Sequence, residues 1–330
     1  MKALFLGGTG TISTAVSKLA IERGWELTIL NRGKSKEFLP DGAEFIQCDI
    51  NDDEKLREIL SGRHFDTTVQ WIGFTPERVK ADIELLRGKT NQHIFISSCA
   101  AYERPMRRYI VTEDAPLNNT HWQYGRDKAA CEDVLTASYR TEGFPFTVVR
   151  PSYTYGNLSI PHAMNGNKPW SIVSRMLAGK PVIVHGDGLS LWSMTHNTDF
   201  AKGFVGLMGR SKAVGEAYNI VSDEILTWDE ITYAIGAAAG VKPAIVHMSS
   251  EQIIKLFPNK EGDLLGDKAT SVIVDCSKLK ALVPDFVCTT PFERGIKITV
   301  DYFNAHPELK TVDEAWNADM DKLIEANNRI

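Results

Sequence analysis

Tyr124 and Lys128 stand four residues apart in the run YGRDKAACE (124–132), a spacing that puts both on one face of a helix. A lysine ammonium beside a phenol lowers the phenol pKa toward neutrality, so the phenolate can serve as a general base. Ser98 lies 26 residues before Tyr124, at the carboxyl end of the apolar run HIFIS (93–97). A hydroxyl there can bond the same substrate oxygen. Together the three residues would move a proton at a substrate hydroxyl. A Tyr and Lys at this spacing also arise by chance, and it is Ser98 that gives the pair weight.

A second chemistry is written at the N-terminus. GGTGTIS (7–13) follows the apolar run KALFL (2–6) and precedes a helical pattern. Glycines there permit a tight turn and let backbone amides approach a pyrophosphate at the positive end of the next helix. Gly7, Gly8, Thr9, Gly10, Thr11 and Ile12 are the candidate contacts; Ser13 stands where a third glycine is usual. A tight turn without a ligand is the plainer alternative. The run ELTIL (26–30) ends in Asn31, Arg32, Gly33 and Lys34. NAD sites place Asp or Glu there to hold the ribose 2′-hydroxyl. With Asn31 in its place and Arg32 beside it, a 2′-phosphate would meet a cation, and the expectation leans to NADP(H). Asp49 and Ile50 end the third run, where Asp49 either accepts from an adenine amino group or caps the next helix. Trp71, after the fourth run, either borders the cofactor or packs in the core.

These residues need a scaffold that brings several strand ends together. Residues 1–150 alternate short apolar runs at 2–6, 26–30, 44–48, 66–72, 93–97 and 146–150 with helix candidates at 11–24, 53–60, 76–86 and 122–141. Continuous apolar strands alternating with helices predict an α/β fold with a doubly wound parallel sheet, the Rossmann arrangement. Residues 1–150 form the expected dinucleotide-binding domain. Residues 151–330 form a smaller, mixed substrate lobe, whose segments near 195–220 pack back on the first domain. The stretch 151–170, rich in Pro, Gly, Asn and Trp, reads as a long loop over a site rather than a core element. Helices are expected near 171–177, 199–208, 228–239 and 291–303, and Val312, Trp316, Met320 and Leu323 form one helical stripe.

Composition excludes other classes. The chain has 330 residues, 37 Lys and Arg against 42 Asp and Glu, and a net charge of −5, so no nucleic-acid partner is expected. Five cysteines without a CxxC pair argue against a disulfide framework and a zinc site, and no metal site is expected. His162, His185 and His196 fall near the expected cleft without metal-ligand spacing. No apolar stretch has membrane-spanning length, and Met1 leads straight into a strand, so the chain is expected to be cytoplasmic.

With GGTG, ISSCAAY (96–102), TEDAPL (112–117), YGRDKAACE, VVRPSYTYG (148–156), GDGLSLWSMTHNTDFAKG (186–203) and YNIV (218–221) in order, the chain resembles an extended, atypical short-chain dehydrogenase/reductase of the NAD-dependent epimerase/dehydratase family. The resemblance implies a catalytic triad of Ser98, Tyr124 and Lys128. Tyr124 would exchange a substrate hydroxyl proton while a nicotinamide exchanges hydride with the same carbon. Lys128 would bind the nicotinamide ribose, and Ser98 would orient the oxygen. It also implies a homodimer through the helices 76–86 and 122–141.

Departures from that pattern bear on the substrate. Trp192 stands where sugar-nucleotide members carry a diphosphate-clamping arginine, and Tyr153 where an asparagine is expected. Cys99 and Ala100 replace the Asp-Glu pair of hexose dehydratases, so water elimination by that route is disfavoured. Tyr153, Trp170 and Trp192 suggest a partly aromatic pocket for a small-molecule substrate. The expected function is NAD(P)-dependent hydride exchange at a secondary alcohol or ketone, of a modified sugar or sugar nucleotide. The alternatives are an isoflavone-reductase-like reductase of an aromatic substrate and a non-catalytic redox-sensing or RNA-binding module.

Overall fold

A strand covered by helices on both faces has no solvent side, and the central strands here are buried almost throughout, polar Thr67, Thr68 and Gln70 included. The computed structural model describes residues 1–327. Strands β1 (Lys2–Leu6), β2 (Glu26–Asn31), β3 (Glu44–Gln47), β4 (Thr67–Gln70), β5 (His93–Ile96), β6 (Phe146–Pro151) and β7 (Glu216–Ile220) form one sheet. Its order is β7-β6-β5-β4-β1-β2-β3, with every neighbouring pair parallel. Alternate side chains enter two different cores: Ala3 and Phe5 face one, Leu4 and Leu6 the other. The first core takes Val16 and Ala20 of α1 (Thr11–Glu22). The second takes Leu56 of α2 (Asp53–Ile59), Val79 and Ile83 of α3 (Pro76–Leu86), and Cys131 and Leu135 of α4 (Gln123–Glu142).

Local chemistry sets the helix ends. Thr75 caps α3 through Oγ1, which accepts from the Arg78 amide at 3.4 Å, with Pro76 in the first turn. Helix α4 ends at Gly143, whose φ of +70° is left-handed. Asp52, not Asp49, caps α2, its carboxylate accepting from the Lys55 amide at 3.1 Å. Asp49 instead turns its own loop, accepting from the Asn51 amide at 3.0 Å.

After β6 the chain departs from one expectation. Residues 151–170 are only in part a loop laid over a site: Ser152 and Tyr153 line one, but Ile160, His162, Ala163, Met164 and Trp170 are buried, and Tyr153–Tyr155 pair with Met194–His196. Trp170 stacks on Phe303 with centroids 5.3 Å apart, so it belongs to the core and not to an aromatic pocket. Apolar residues spaced through a Pro- and Gly-rich stretch conceal this, because they show no strand or helix period. Helix α5 (Ser171–Leu177) follows, then α6 (Asn197–Leu207), which packs on α1, and β7, which extends the main sheet beside β6. Helix α7 (Trp228–Ala238) lies in the remaining lobe. Trp316, Met320 and Leu323 of the helix Glu314–Asn327 pack inward, and the Trp316 indole N–H donates to the Met164 carbonyl at 2.9 Å.

One buried polar network explains why several motif residues occur together. Arg150 on β6 forks onto Glu132 of α4, with Nε to Oε1 at 3.0 Å and Nη2 to Oε2 at 2.6 Å. Ser97 donates to the same carboxylate at 2.5 Å. Arg150 also donates to the Tyr102 hydroxyl at 3.0 Å and the Glu113 carbonyl at 2.9 Å. Tyr102 in turn donates to Asn219 of β7 at 2.7 Å, and the Glu113 carboxylate takes the Asn219 amide at 2.8 Å. The network ties α4 and the strand ends of β5, β6 and β7 into one block. Removing one partner of such a buried pair strands the other charge, at a cost of about 3–5 kcal/mol. Glu132→Ala is therefore expected to lower unfolding free energy by about that amount, read as a reduced midpoint in urea denaturation; an unchanged midpoint would show that the network does not brace the fold.

Candidate active site

In open α/β sheets the ligand crevice opens where strand order reverses, here between β1 and β4. Gly7 and Gly8 both have φ of +107° there, a region that side-chain-bearing residues rarely adopt. A Cβ on Gly8 would lie 3.2 Å from Ile29, and one on Gly7 would lie 2.9 Å from Trp71. Ser13 is buried and its Oγ accepts from the Gly10 amide at 2.8 Å, so a hydroxyl ties off one loop amide. The Gly8 and Thr9 amides have no hydrogen-bond partner among the described residues. They face a cleft of about 660 Å³ at the N-terminus of α1, the polarity that suits an anion.

Of the residues predicted from sequence for a cofactor, Gly7 through Ile12, Asn31, Arg32, Asp49, Ile50 and Trp71 all line this cleft. Asn31 accepts from the Gly33 amide at 2.7 Å through Oδ1, while its Nδ2 is buried without a partner. Arg32 and Lys34 are exposed on the rim, and neither forms an ion pair among the described residues. Trp71 packs edge-on against Phe5 at 5.6 Å and tilts on Phe204 at 4.8 Å, its indole N–H buried and unpartnered. A glycine cradle with free amides and two unpartnered buried donors fits a dinucleotide.

Lys128 does not line that cleft. It is 2% exposed, and its ammonium donates to the Ile96 carbonyl at 2.7 Å and the Gly73 carbonyl at 2.9 Å. It lies 4.7 Å from the Phe74 ring centroid and 5.8 Å from that of Tyr124. Burial lowers its pKa to about 8. Ile96 and Phe74 do line the cleft, so Lys128 sits immediately behind its wall.

Tyr124 and Ser98 open onto a second, adjoining pocket of about 280 Å³. Ser98 caps the short helical turn Cys99–Ala101, accepting from the Ala100 amide at 3.1 Å. The expected lowering of the Tyr124 phenol toward neutrality does not occur. Burial raises it; a hydrogen bond with Ser98 pulls it down, and the charge of Asp267 pushes it further up. Lys128 gives the phenol no hydrogen bond, because its donors go to two carbonyls. Tyr124 is therefore a protonated phenol at neutral pH, a proton donor in its resting state. Cys99 is buried beside it with its thiol pushed far up by burial, which removes thiolate nucleophilicity.

Tyr153 and Trp192 both line this pocket, with Trp122, Ser152, Asp267 and Lys268. Sequence reading did not find Trp122, Asp267 or Lys268. Lys268 follows no recognisable motif and reaches the site only through tertiary folding. His162, His185 and His196 are buried and serve other partners: His162 pairs with Thr232 at 3.1 Å and His185 with the Lys268 carbonyl at 2.9 Å, while His196 Nδ1 pairs with Thr198 at 2.7 Å.

Comparisons with known proteins place this geometry in a family. Residues 3–221 match the NAD dependent epimerase/dehydratase family. The chain is 29% identical over 278 residues to the chloroplast stem-loop binding protein of 41 kDa b of Arabidopsis thaliana, covering 79% of this chain and 70% of that protein. It is 25% identical over 328 residues to a UDP-N-acetyl-alpha-D-glucosaminuronate decarboxylase of Bacillus cytotoxicus, covering 92% and 97%. Its fold resembles the dTDP-glucose 4,6-dehydratase of Bacillus anthracis solved with NAD, with a TM-score of 0.75 and 20% identity over 93% of this chain and 98% of that one. The chain belongs to the NAD dependent epimerase/dehydratase family.

Proposed function

We propose that this chain is an NAD(P)-dependent oxidoreductase or epimerase-type enzyme acting on a secondary alcohol or ketone, on a modified sugar or sugar nucleotide. The observation that carries this reading is the placement of Ser98 and Tyr124 on one pocket wall, with Lys128 filling the partition to the glycine-turn cleft. A bound nicotinamide supplies hydride exchange at the substrate carbon. Tyr124 holds the proton destined for the substrate oxygen and, being a phenol at rest, donates it as a carbonyl is reduced. Ser98 directs that oxygen toward the phenol. Lys128 fixes α4 against the ends of β4 and β5 from behind the cleft wall. Tyr153 and Trp192 present ring faces and edges to the substrate where a diphosphate clamp would otherwise stand.

Arg32 and Lys34, without a carboxylate at Asn31, support a preference for NADP(H) over NAD(H). Helices α3 and α4 pack together and form the face through which we propose a homodimer; light scattering at 36.7 kDa would contradict it. The Arabidopsis relative's name offers a stem-loop-binding alternative, and the net charge of −5 weighs against it.

Two experiments test the reading. With NADPH and a panel of sugar and sugar-nucleotide ketones, Tyr124→Phe is expected to reduce turnover by about 10²–10⁴-fold while leaving nicotinamide binding intact. Turnover that survives the substitution would remove the phenol from the chemistry. In fluorescence titrations, Arg32→Ala is expected to weaken NADPH about 10–100-fold, the worth of one charge-assisted bond, and to leave NADH unchanged. Equal weakening of both would contradict recognition of the 2′-phosphate.

A further inference from the structure

We propose that Asp82 is a positioning residue for the cofactor, a single buried carboxylate that holds both ends of the glycine-turn cleft. This rests on the reading of that cleft as a dinucleotide site. Asp82, on α3, is 1% exposed. It accepts from Gln70 Nε2 at 2.7 Å and from Arg78 Nε at 3.0 Å. Burial pushes its pKa up to about 6 against the pull of Arg78 and Gln70, so at neutral pH it is a carboxylate that only accepts.

One arm of this network runs to β4. Gln70, fully buried at the end of that strand, accepts from the Ile72 amide at 2.9 Å through Oε1. Its polarity is fixed: the carboxylate takes only an N–H and the Ile72 amide needs an oxygen, so the side-chain amide cannot be turned over. A Cβ on Gly73 would lie 2.7 Å from Gln70 Cγ, and the Gly73 carbonyl takes the Lys128 ammonium at 2.9 Å. The turn at Ile72 and Gly73 is thus gripped from two sides. The other arm runs to the end of β3. Arg78 Nη1 donates to the Ile50 carbonyl at 2.7 Å and to the Asp53 carboxylate at 3.0 Å.

Stability alone does not account for this arrangement. A buried ion pair is often no more stable than apolar residues of the same volume. Arg78 Nη2 is moreover buried without a partner among the described residues. The two recipients of the network are what give it a purpose: the Ile72 amide and the Ile50 carbonyl both belong to residues that line the cleft. In the sheet β4 and β3 flank β1 and β2, so the arms reach opposite ends of the crevice. Ile50 stands with Asn31, Arg32 and Asp49, the end read as holding the adenosine half. Ile72 stands with Phe74 and Ile96, the end nearest Lys128 and the nicotinamide half. Each arm therefore serves one half of the dinucleotide, and Asp82 couples them.

The test is calorimetry on the full chain with NADPH, NADH and ADP, the last carrying only the adenosine half and its diphosphate, with folding of each variant checked by urea denaturation. Gln70→Met releases Ile72 alone, and is expected to weaken both dinucleotides about tenfold, the effect of one lost hydrogen bond, while leaving ADP unchanged. Arg78→Lys keeps a cation beside Asp82 but cannot fork to Ile50 as well, and is expected to weaken ADP and both dinucleotides alike. Asp82→Asn offers an oxygen to only one of the two donors, and is expected to weaken the dinucleotides at least as much as Gln70→Met. A merely structural network would lower the urea midpoint without separating the two halves of the cofactor. Unchanged affinities in the folded variants, or a loss of ADP binding in Gln70→Met equal to that of the dinucleotides, would overturn the positioning role. Failure of the wild type to bind either dinucleotide would instead overturn the dinucleotide reading beneath it.

Discussion

The Lys128 ammonium is buried between the Ile96 and Gly73 carbonyls, and the rest of the site depends on where it is held. Ile96 ends β5 and Gly73 follows β4, so one side chain of α4 joins two strand ends that border the crevice. Such an ammonium is costly to bury and tolerable only with acceptors in place. Those acceptors are backbone groups, which substitution elsewhere does not remove. The clamp aligns α4, and with it Tyr124 one turn earlier, against the wall between the glycine-turn cleft and the pocket of Ser98 and Tyr124. Its hydrogen bonds go to those carbonyls and none goes to the phenol oxygen among the described residues. Lys128 therefore acts on Tyr124 through position more than through electrostatics.

Behind this clamp the Arg150–Glu132 pair performs a similar service for the middle of α4. Its connections to Ser97, Tyr102, Glu113 and Asn219 draw together residues from segments far apart in the chain. Residues that chemistry alone would not single out in the runs ISSCAAY, TEDAPL, YGRDKAACE, VVRPSYTYG and YNIV are thus partners in one buried network. The two devices divide the labour: the network braces the block of strands, and the lysine holds the Tyr124 turn of α4 against the ends of β4 and β5.

Much of this was legible in the sequence because it is local. A glycine run between an apolar strand and an amphipathic helix announces a phosphate-binding turn, and continuous apolar runs announce a sheet covered on both faces. Spacing and resemblance single out Ser98, Tyr124 and Lys128, and the structure puts Ser98 and Tyr124 on one pocket with Lys128 behind the neighbouring cleft wall. Three features were not legible. The resting state of Tyr124 depends on burial and on Asp267, neither of which a four-residue spacing reveals. The stretch 151–170 hides a core segment because its apolar residues follow no helix or strand period. Lys268 and Trp122 enter the pocket through a tertiary contact at the glycines 262 and 266, which carries no motif. The wall formed by Trp122 and Lys268 is thus the least readable part of the pocket, and the wall formed by Ser98 and Tyr124 the most.

The central claim is that Lys128 positions Tyr124 without lowering its pKa, leaving a phenol at rest. The direct measurement is ¹³C NMR of protein labelled at tyrosine Cζ, with the Tyr124 resonance assigned by its absence in Tyr124→Phe. The account predicts that this resonance keeps its phenol shift through neutral pH and moves only above the ordinary phenol value of about 10. A midpoint near pH 7 would contradict it and would return Lys128 to the role of an electrostatic activator.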